Sequence, residues 1–138
     1  MNRNPYEAPP GDGMPMPMGV DPGRRTAFVL AGIGAGLASL YWAGLTALLA
    51  FGVSAGTISG TQIILPCVLI GLYAVRAFQI FKGDPTAAKK VLWLHGVGGA
   101  LALFQMFSGT PLLMVFQGVK VAIHLFGGIT AYLATRRA

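Results

Sequence analysis

The chain has 138 residues, of which 54% are hydrophobic and only 10% are charged. A water-soluble domain usually carries about 25% charged residues, and a disordered chain is poor in apolar ones, so the composition excludes both classes. A single cysteine excludes a disulfide scaffold. An integral membrane protein is the class that remains.

The first 25 residues differ from the rest of the chain. They contain six of the nine prolines and show no apolar periodicity, which predicts a disordered cytoplasmic tail over residues 1–25. The apolar stretch that follows is too long for a signal peptide, whose apolar core has about 7 to 15 residues. Residues 26–138 are therefore expected to form the membrane domain.

Four membrane-spanning helices are predicted in that domain. The stretch from Thr26 to Val75 has no charged residue and is long enough for two spans, since one span needs about 20 residues. A Gly/Ser/Thr cluster divides it at residues 52–61. Two further helices begin at prolines that follow capping residues, Pro85 after Asp84 and Pro111 after a Ser-Gly-Thr run. The predicted fold is all-α, an antiparallel four-helix membrane bundle with a disordered N-terminal tail. Its helices are expected at about 26–52, 61–82, 85–107 and 111–135.

The basic residues predict the orientation of these helices. Eight of the ten Lys and Arg side chains flank the helices at the chain ends or at the turn between helices 2 and 3, and such cations are retained on the cytoplasmic side. Both termini are thus expected in the cytoplasm, at a bacterial inner membrane. The net charge of +6 then reflects contact with lipid headgroups, and no nucleic-acid partner is expected. The side chains expected at headgroups are Arg24, Arg25, Arg76, Lys82, Lys89, Lys90, Arg136 and Arg137.

The tail contains a short segment, Asn-Pro-Tyr-Glu-Ala-Pro at residues 4–9. It resembles the Asn-Pro-Tyr-x-Ala-Pro amino-terminal segment of small bacterial four-helix membrane proteins of uncharacterised function. The resemblance covers six residues and implies no activity.

Few polar side chains are predicted at membrane depth, where each is costly. Gln117, Lys120 and His124 are spaced i, i+3, i+7, which predicts one polar face on the fourth helix. Lys120 lies near the middle of that helix, and no predicted span contains an acid to pair with it. It is expected to be uncharged, hydrogen-bonded or in contact with a bound anion.

Residues that are equally far from a tight turn lie at the same depth on the two antiparallel helices that the turn joins. This counting predicts one polar layer that contains Tyr41, Tyr73, His95 and His124. Two histidines at one depth suit the axial ligation of a b-type haem, with nearby glycines making room for the macrocycle. A buried His/Tyr hydrogen-bond cluster is the alternative.

The sequence shows no carboxylate pair, no phosphate-binding loop and no pair of cysteine ligands, so neither an enzyme nor a metal site is expected. The leading prediction is a multi-pass membrane protein without a cofactor. It acts by association with lipid, with another membrane protein or with a second copy of itself. One alternative is a haem electron carrier that uses His95 and His124. The other is a small proton or anion transporter that uses Lys120 and His124.

Overall fold

The computed structural model describes residues 22–107 and 111–136. Within these residues all regular secondary structure is helical, as the sequence predicts. The elements are α1 (Pro22–Ser54), a short 3-10 helix (Gly60–Ile63), α2 (Ile64–Phe81), α3 (Pro85–Met106) and α4 (Pro111–Arg136). By length and composition, three of the described segments are able to cross a membrane, namely Pro22–Ser54, Gly60–Phe81 and Met114–Arg136. A membrane span in α3 stays a prediction.

The first helix is longer than the sequence predicts. It begins at Pro22 rather than at residue 26, so residues 22–25 belong to the helix and not to the predicted tail. Proline suits a first helical turn, because its missing N–H would have no partner there. Residues 1–21, with the rest of the predicted tail and the Asn-Pro-Tyr segment, lie outside the described residues.

The connection between α1 and α2 lies further along the chain than predicted, because α1 ends later and α2 begins later. Helix α1 continues through Gly52 to Ser54, and the 3-10 turn Gly60–Ile63 precedes α2. Pro66 therefore lies in the first turn of α2, where a missing N–H removes no hydrogen bond from the helix interior.

The turn between α2 and α3 has the arrangement that the sequence predicts. Gly83 adopts a positive φ of 84°, a conformation that favours glycine. The side-chain Oδ1 of Asp84 accepts hydrogen bonds from the backbone N–H groups of Thr86 and Ala87, at 2.8 and 3.2 Å. Pro85 occupies the first helical position. The cap predicted at residues 108–110 lies outside the described residues.

Helix α1 packs against α2 and α4, and α3 packs against α4, whereas α2 and α3 touch each other much less. Small residues let the helices approach closely. Such packing is expected in a membrane, because lipid supplies no hydrophobic driving force for the association of helices. A Cβ built on Gly34 of α1 would lie only 2.7 Å from the Cα of Gly127 on α4. The small side chains of Ala31 and Ala35 on α1 are fully buried.

The two ends of the molecule differ in charge and in packing. The start of α1, the turn between α2 and α3 and the end of α4 lie at one end of the molecule, which we call the basic end. The described cations at this end are Arg24, Arg25, Lys82, Lys89, Lys90 and Arg136. Just inside it, the interior is filled by small or aliphatic side chains with no exposed surface, including Ile80, Ala87, Ala88 and Val91.

We expect Asp84→Ala to lower the free energy of unfolding by about 1 kcal/mol, because two N–H groups at the start of α3 lose their acceptor. Asp84→Asn keeps an acceptor oxygen and is the matched control. Titration of the micelle-bound protein with SDS, followed by circular dichroism, measures both variants. Equal stability of Asp84→Ala and the unchanged protein would contradict the role of the cap.

Candidate functional site

His95 of α3 and His124 of α4 are in direct contact inside the protein. Their Nδ1 atoms are 3.0 Å apart, and the two rings meet at 67° with centroids 5.3 Å apart. The exposed fractions of the side chains are only 1% and 4%. Because an imidazole nitrogen either donates or accepts, one Nδ1 carries the proton of this bond and the other receives it. The two histidines therefore form a buried hydrogen-bonded pair.

Each ring of the pair lies against a glycine of the opposite helix. A Cβ built on Gly98 of α3 would lie 2.5 Å from Cε1 of His124. A Cβ built on Gly127 of α4 would overlap the ring of His95. Each glycine follows the histidine of its own helix by three residues. Each helix therefore places its imidazole in the space left by the glycine of the other, an arrangement that we call the exchange of imidazole for glycine.

A sequence repeat underlies this exchange. The pattern His-x-x-Gly-Gly-x-x-Ala occurs at residues 95–102 and again at 124–131. The last residues of the two copies, Ala102 and Ala131, are both fully buried. Alignment of the α3 and α4 sequences reveals this repeat, a signal that the prediction of the polar layer did not use.

The predicted polar layer is only partly assembled. The ring of Tyr73 lies 5.1 Å from that of His95 and 6.3 Å from that of His124, measured between centroids. Tyr41 instead packs edge-on against Trp42 and lines a separate groove beside Leu40 and Phe116. Counting from turns fixes the depth of a residue but not its direction around the helix axis, which explains why Tyr41 lies apart.

The polar face of α4 points into the protein at Lys120. This side chain is 8% exposed, and its Nζ lies 4.9 Å from the ring centroid of Trp42, within the range of a cation–π contact. Gln117 is partly buried on the same helix, and its Oε1 is a buried acceptor without a hydrogen-bond partner among the described atoms. The indole Nε1 of Trp42 and Nε2 of His95 are likewise buried and unpartnered there. Such a group typically costs about 1 to 3 kcal/mol.

An inner cavity of about 270 Å³ lies between all four helices, next to the histidine pair. Its walls are largely apolar, and Trp42 and Lys120 contribute groups that only donate hydrogen bonds. The one acid among the described residues, Asp84, caps α3 at the basic end. The lining residues are Trp42, Leu65, Leu69, Tyr73, Leu94, Val97, Gly98, Leu101, Gln105, Lys120 and His124.

The inner cavity extends to one side of the histidine pair only. It reaches Leu65 at the start of α2 and Gln105 near the end of α3, both towards the end opposite the basic end. On the other side of the pair, Ile80 and Val91 are fully buried in the close-packed interior. The arrangement is a pocket closed towards the basic end.

The direct contact between the two histidine rings affects the space available for a haem. The haem prediction relies on glycines near the two histidines to make room for the macrocycle. The nearby Gly98 and Gly127 are covered by the imidazole rings themselves. A haem held by both histidines would need space between the two rings. Because His95 and His124 are hydrogen-bonded to each other, haem ligation requires the two rings to separate. Ligation of a haem by these residues stays a prediction. Transport through Lys120 and His124 also stays a prediction.

The predicted headgroup residues that the structure describes lie at the surface. Arg24, Arg25 and Lys82 line a cleft between α1 and the turn that follows α2. Arg76 and Lys90 line a groove between α2 and α3. The side chains of Lys89 and Arg136 are exposed at the basic end. Arg137 lies outside the described residues.

No known protein family matches the sequence, and neither a curated protein nor a solved structure gives a significant match.

We expect Gly127→Ala to destabilise the protein by about 1 to 3 kcal/mol, because the new methyl group overlaps the ring of His95, which cannot retreat from its partner. Gly96→Ala is the matched control, since a Cβ there has open space around it. The free energy of unfolding in SDS measures both. Similar free energies of unfolding for the two variants would show that His95 does not pack against Gly127.

We expect the detergent-purified protein, produced with haem precursor supplied, to show no Soret band before or after dithionite, because the two histidine rings are in direct contact and leave no space between them for a macrocycle. An absorption spectrum measures this. A reducible Soret band that disappears in His95→Ala and in His124→Ala would overturn the expectation and make these residues axial ligands.

Proposed function

We propose that this is a multi-pass protein of a bacterial inner membrane, with an antiparallel four-helix bundle and both termini in the cytoplasm. It acts without catalysis, by binding a lipid-soluble molecule in the inner cavity. The ligand has an acidic or hydrogen-bond-accepting group at one end of an apolar body. The observation that carries this proposal is the indole N–H of Trp42, a buried donor without a described partner, beside the amino group of Lys120 in one cavity.

The donors of the cavity favour an acidic ligand. On insertion scales, a lysine near the centre of a membrane helix costs about 2.5 to 3.5 kcal/mol. A ligand anion next to Lys120 offsets this cost, and one of its oxygens also satisfies the N–H of Trp42. The described helices provide no carboxylate for this purpose, since Asp84 lies in the turn between α2 and α3.

The walls of the cavity favour an apolar body for the same ligand. Leu65, Leu69 and Leu101 surround the polar groups, as in small-molecule sites where a few polar atoms orient a mostly apolar ligand. A volume of about 270 Å³ is slightly below the usual range for such sites, about 300 to 1,000 Å³. It suits a head group and the first part of a chain, with the rest extending between the helices into lipid.

The charge distribution supports a direction of entry. With the basic end in the cytoplasm, as the positive-inside rule favours, the cavity lies in the outer half of the membrane. The close-packed layer at Ile80 and Val91 separates it from the cytoplasm. The ligand then enters from the outer leaflet and remains on that side.

Tryptophan fluorescence tests this proposal. The chain has two tryptophans, and Trp93 is 69% exposed whereas Trp42 is 9% exposed and lines the cavity. In a Trp93→Phe variant in nanodiscs, we expect dibromostearic acid to quench Trp42 with a saturable curve. The neutral methyl ester is expected to bind at least about tenfold more weakly, a difference of about 1.4 kcal/mol.

The matched lysine variants identify the group that binds the acid. Lys120→Met removes the amino group and is expected to weaken acid binding by about tenfold or more, whereas Lys89→Met, at the exposed basic end, changes it by less than about twofold. Quenching that is unsaturable, equal for acid and ester, or unchanged in Lys120→Met would contradict the proposal. A Trp42→Phe variant, which reports only Trp93, measures the quenching at the protein surface outside the inner cavity.

A further inference from the structure

A groove on the outer surface separates α2 from α3 near the basic end. Its volume is about 400 Å³. Arg76 of α2 and Lys90 of α3 lie at its end nearer the turn that joins the two helices, and apolar side chains continue it away from that turn. The lining residues are Leu72, Arg76, Lys90, Trp93, Leu94 and Val97.

The cations of this groove have no carboxylate partner in the described chain. The guanidinium of Arg76 donates a hydrogen bond to Oε1 of Gln79 at 2.6 Å, but that amide is neutral. Asp84, the one described acid, accepts backbone N–H groups at the start of α3. No carboxylate of the described chain therefore competes with an external anion for these two cations.

The packing of the helices indicates what fills the apolar part. Helices α2 and α3 touch much less than the neighbouring pairs α1/α2 and α3/α4, so the groove interrupts their contact. Trp93 lies on its wall close to the basic end, and tryptophan favours the interface between headgroups and acyl chains. In a membrane, an acyl chain is the apolar material available to fill such a groove.

We propose that this groove binds one anionic glycerophospholipid. Its phosphate lies between Arg76 and Lys90, where the fork of the guanidinium suits two phosphate oxygens. One acyl chain runs over Trp93 and Leu72 towards Val97 and joins α2 to α3. The groove shares Leu94 and Val97 with the wall of the inner cavity but has its own cations, and its proposed ligand does not depend on the function proposed for that cavity.

Trp93 reports on this site when Trp42 is replaced by phenylalanine. In phosphatidylcholine nanodiscs containing that variant, we expect phosphatidylglycerol with brominated acyl chains to quench Trp93 half-maximally at a mole fraction at least about tenfold lower than brominated phosphatidylcholine does. Coincident curves for the two lipids would overturn the proposal, because the groove would then select no charge.

Charge variants locate the headgroup. In the same background, Arg76→Gln and Lys90→Gln are each expected to raise the half-maximal mole fraction of phosphatidylglycerol by about threefold or more, and Arg76→Lys to restore most of the preference. Lys89→Gln is the matched control, because Lys89 is exposed next to Lys90 and does not line the groove. Equal shifts in Lys89→Gln and Lys90→Gln would reveal only a general surface potential and would contradict the site.

A free anion is distinguished from a lipid by competition. Inorganic phosphate at millimolar concentration is expected to leave the quenching by phosphatidylglycerol within about twofold, at an ionic strength matched with chloride. Complete competition by phosphate would identify a site for the free anion and overturn the assignment to a phospholipid. If Arg76→Gln does not fold, Lys90→Gln carries the same test, because its side chain is exposed.

Discussion

The exchange of imidazole for glycine between α3 and α4 is the constraint on which the interior depends. His95 fills the space that Gly127 leaves, and His124 fills the space at Gly98. A shift of one helix along the other would place each ring against a side chain instead of a bare backbone. Lipid provides no hydrophobic drive between helices, so close packing and the bond between the Nδ1 atoms select this register.

The rest of the interior follows from that register. Lys120 precedes His124 by four residues, so it projects from the same face one turn further from the basic end. Trp42 of α1 covers its amino group, and Tyr73 of α2 covers the histidine pair. Small and aliphatic side chains fill the interior towards the basic end. On the other side of the histidine pair a cavity remains, and the long side chain of Lys120 lines it. The asymmetry of the interior is thus a consequence of where α4 carries its polar residues.

The sequence predicts the elements of this fold better than the directions of its side chains. The turn at Gly83 and Asp84 was predictable because the conformation and the cap are local. The depth match of His95 and His124 was predictable because a tight turn fixes the level of both helices. The separation of Tyr41 from that layer, and the cavity itself, depend on helix rotation and on where side chains from four helices fail to meet. No local pattern encodes these features.

The distribution of charge gives the two proposed sites a common cause. Asp84 is the only acid among the described residues, and it lies in a turn, so Lys120 inside the protein and Arg76 at its surface have no carboxylate to pair with. Replacing either cation by an apolar residue would remove the electrostatic cost at once, yet both are present beside apolar cavities. Under both proposals these cations obtain their counter-charges from the membrane, where acidic amphiphiles are the anions that also fill apolar space.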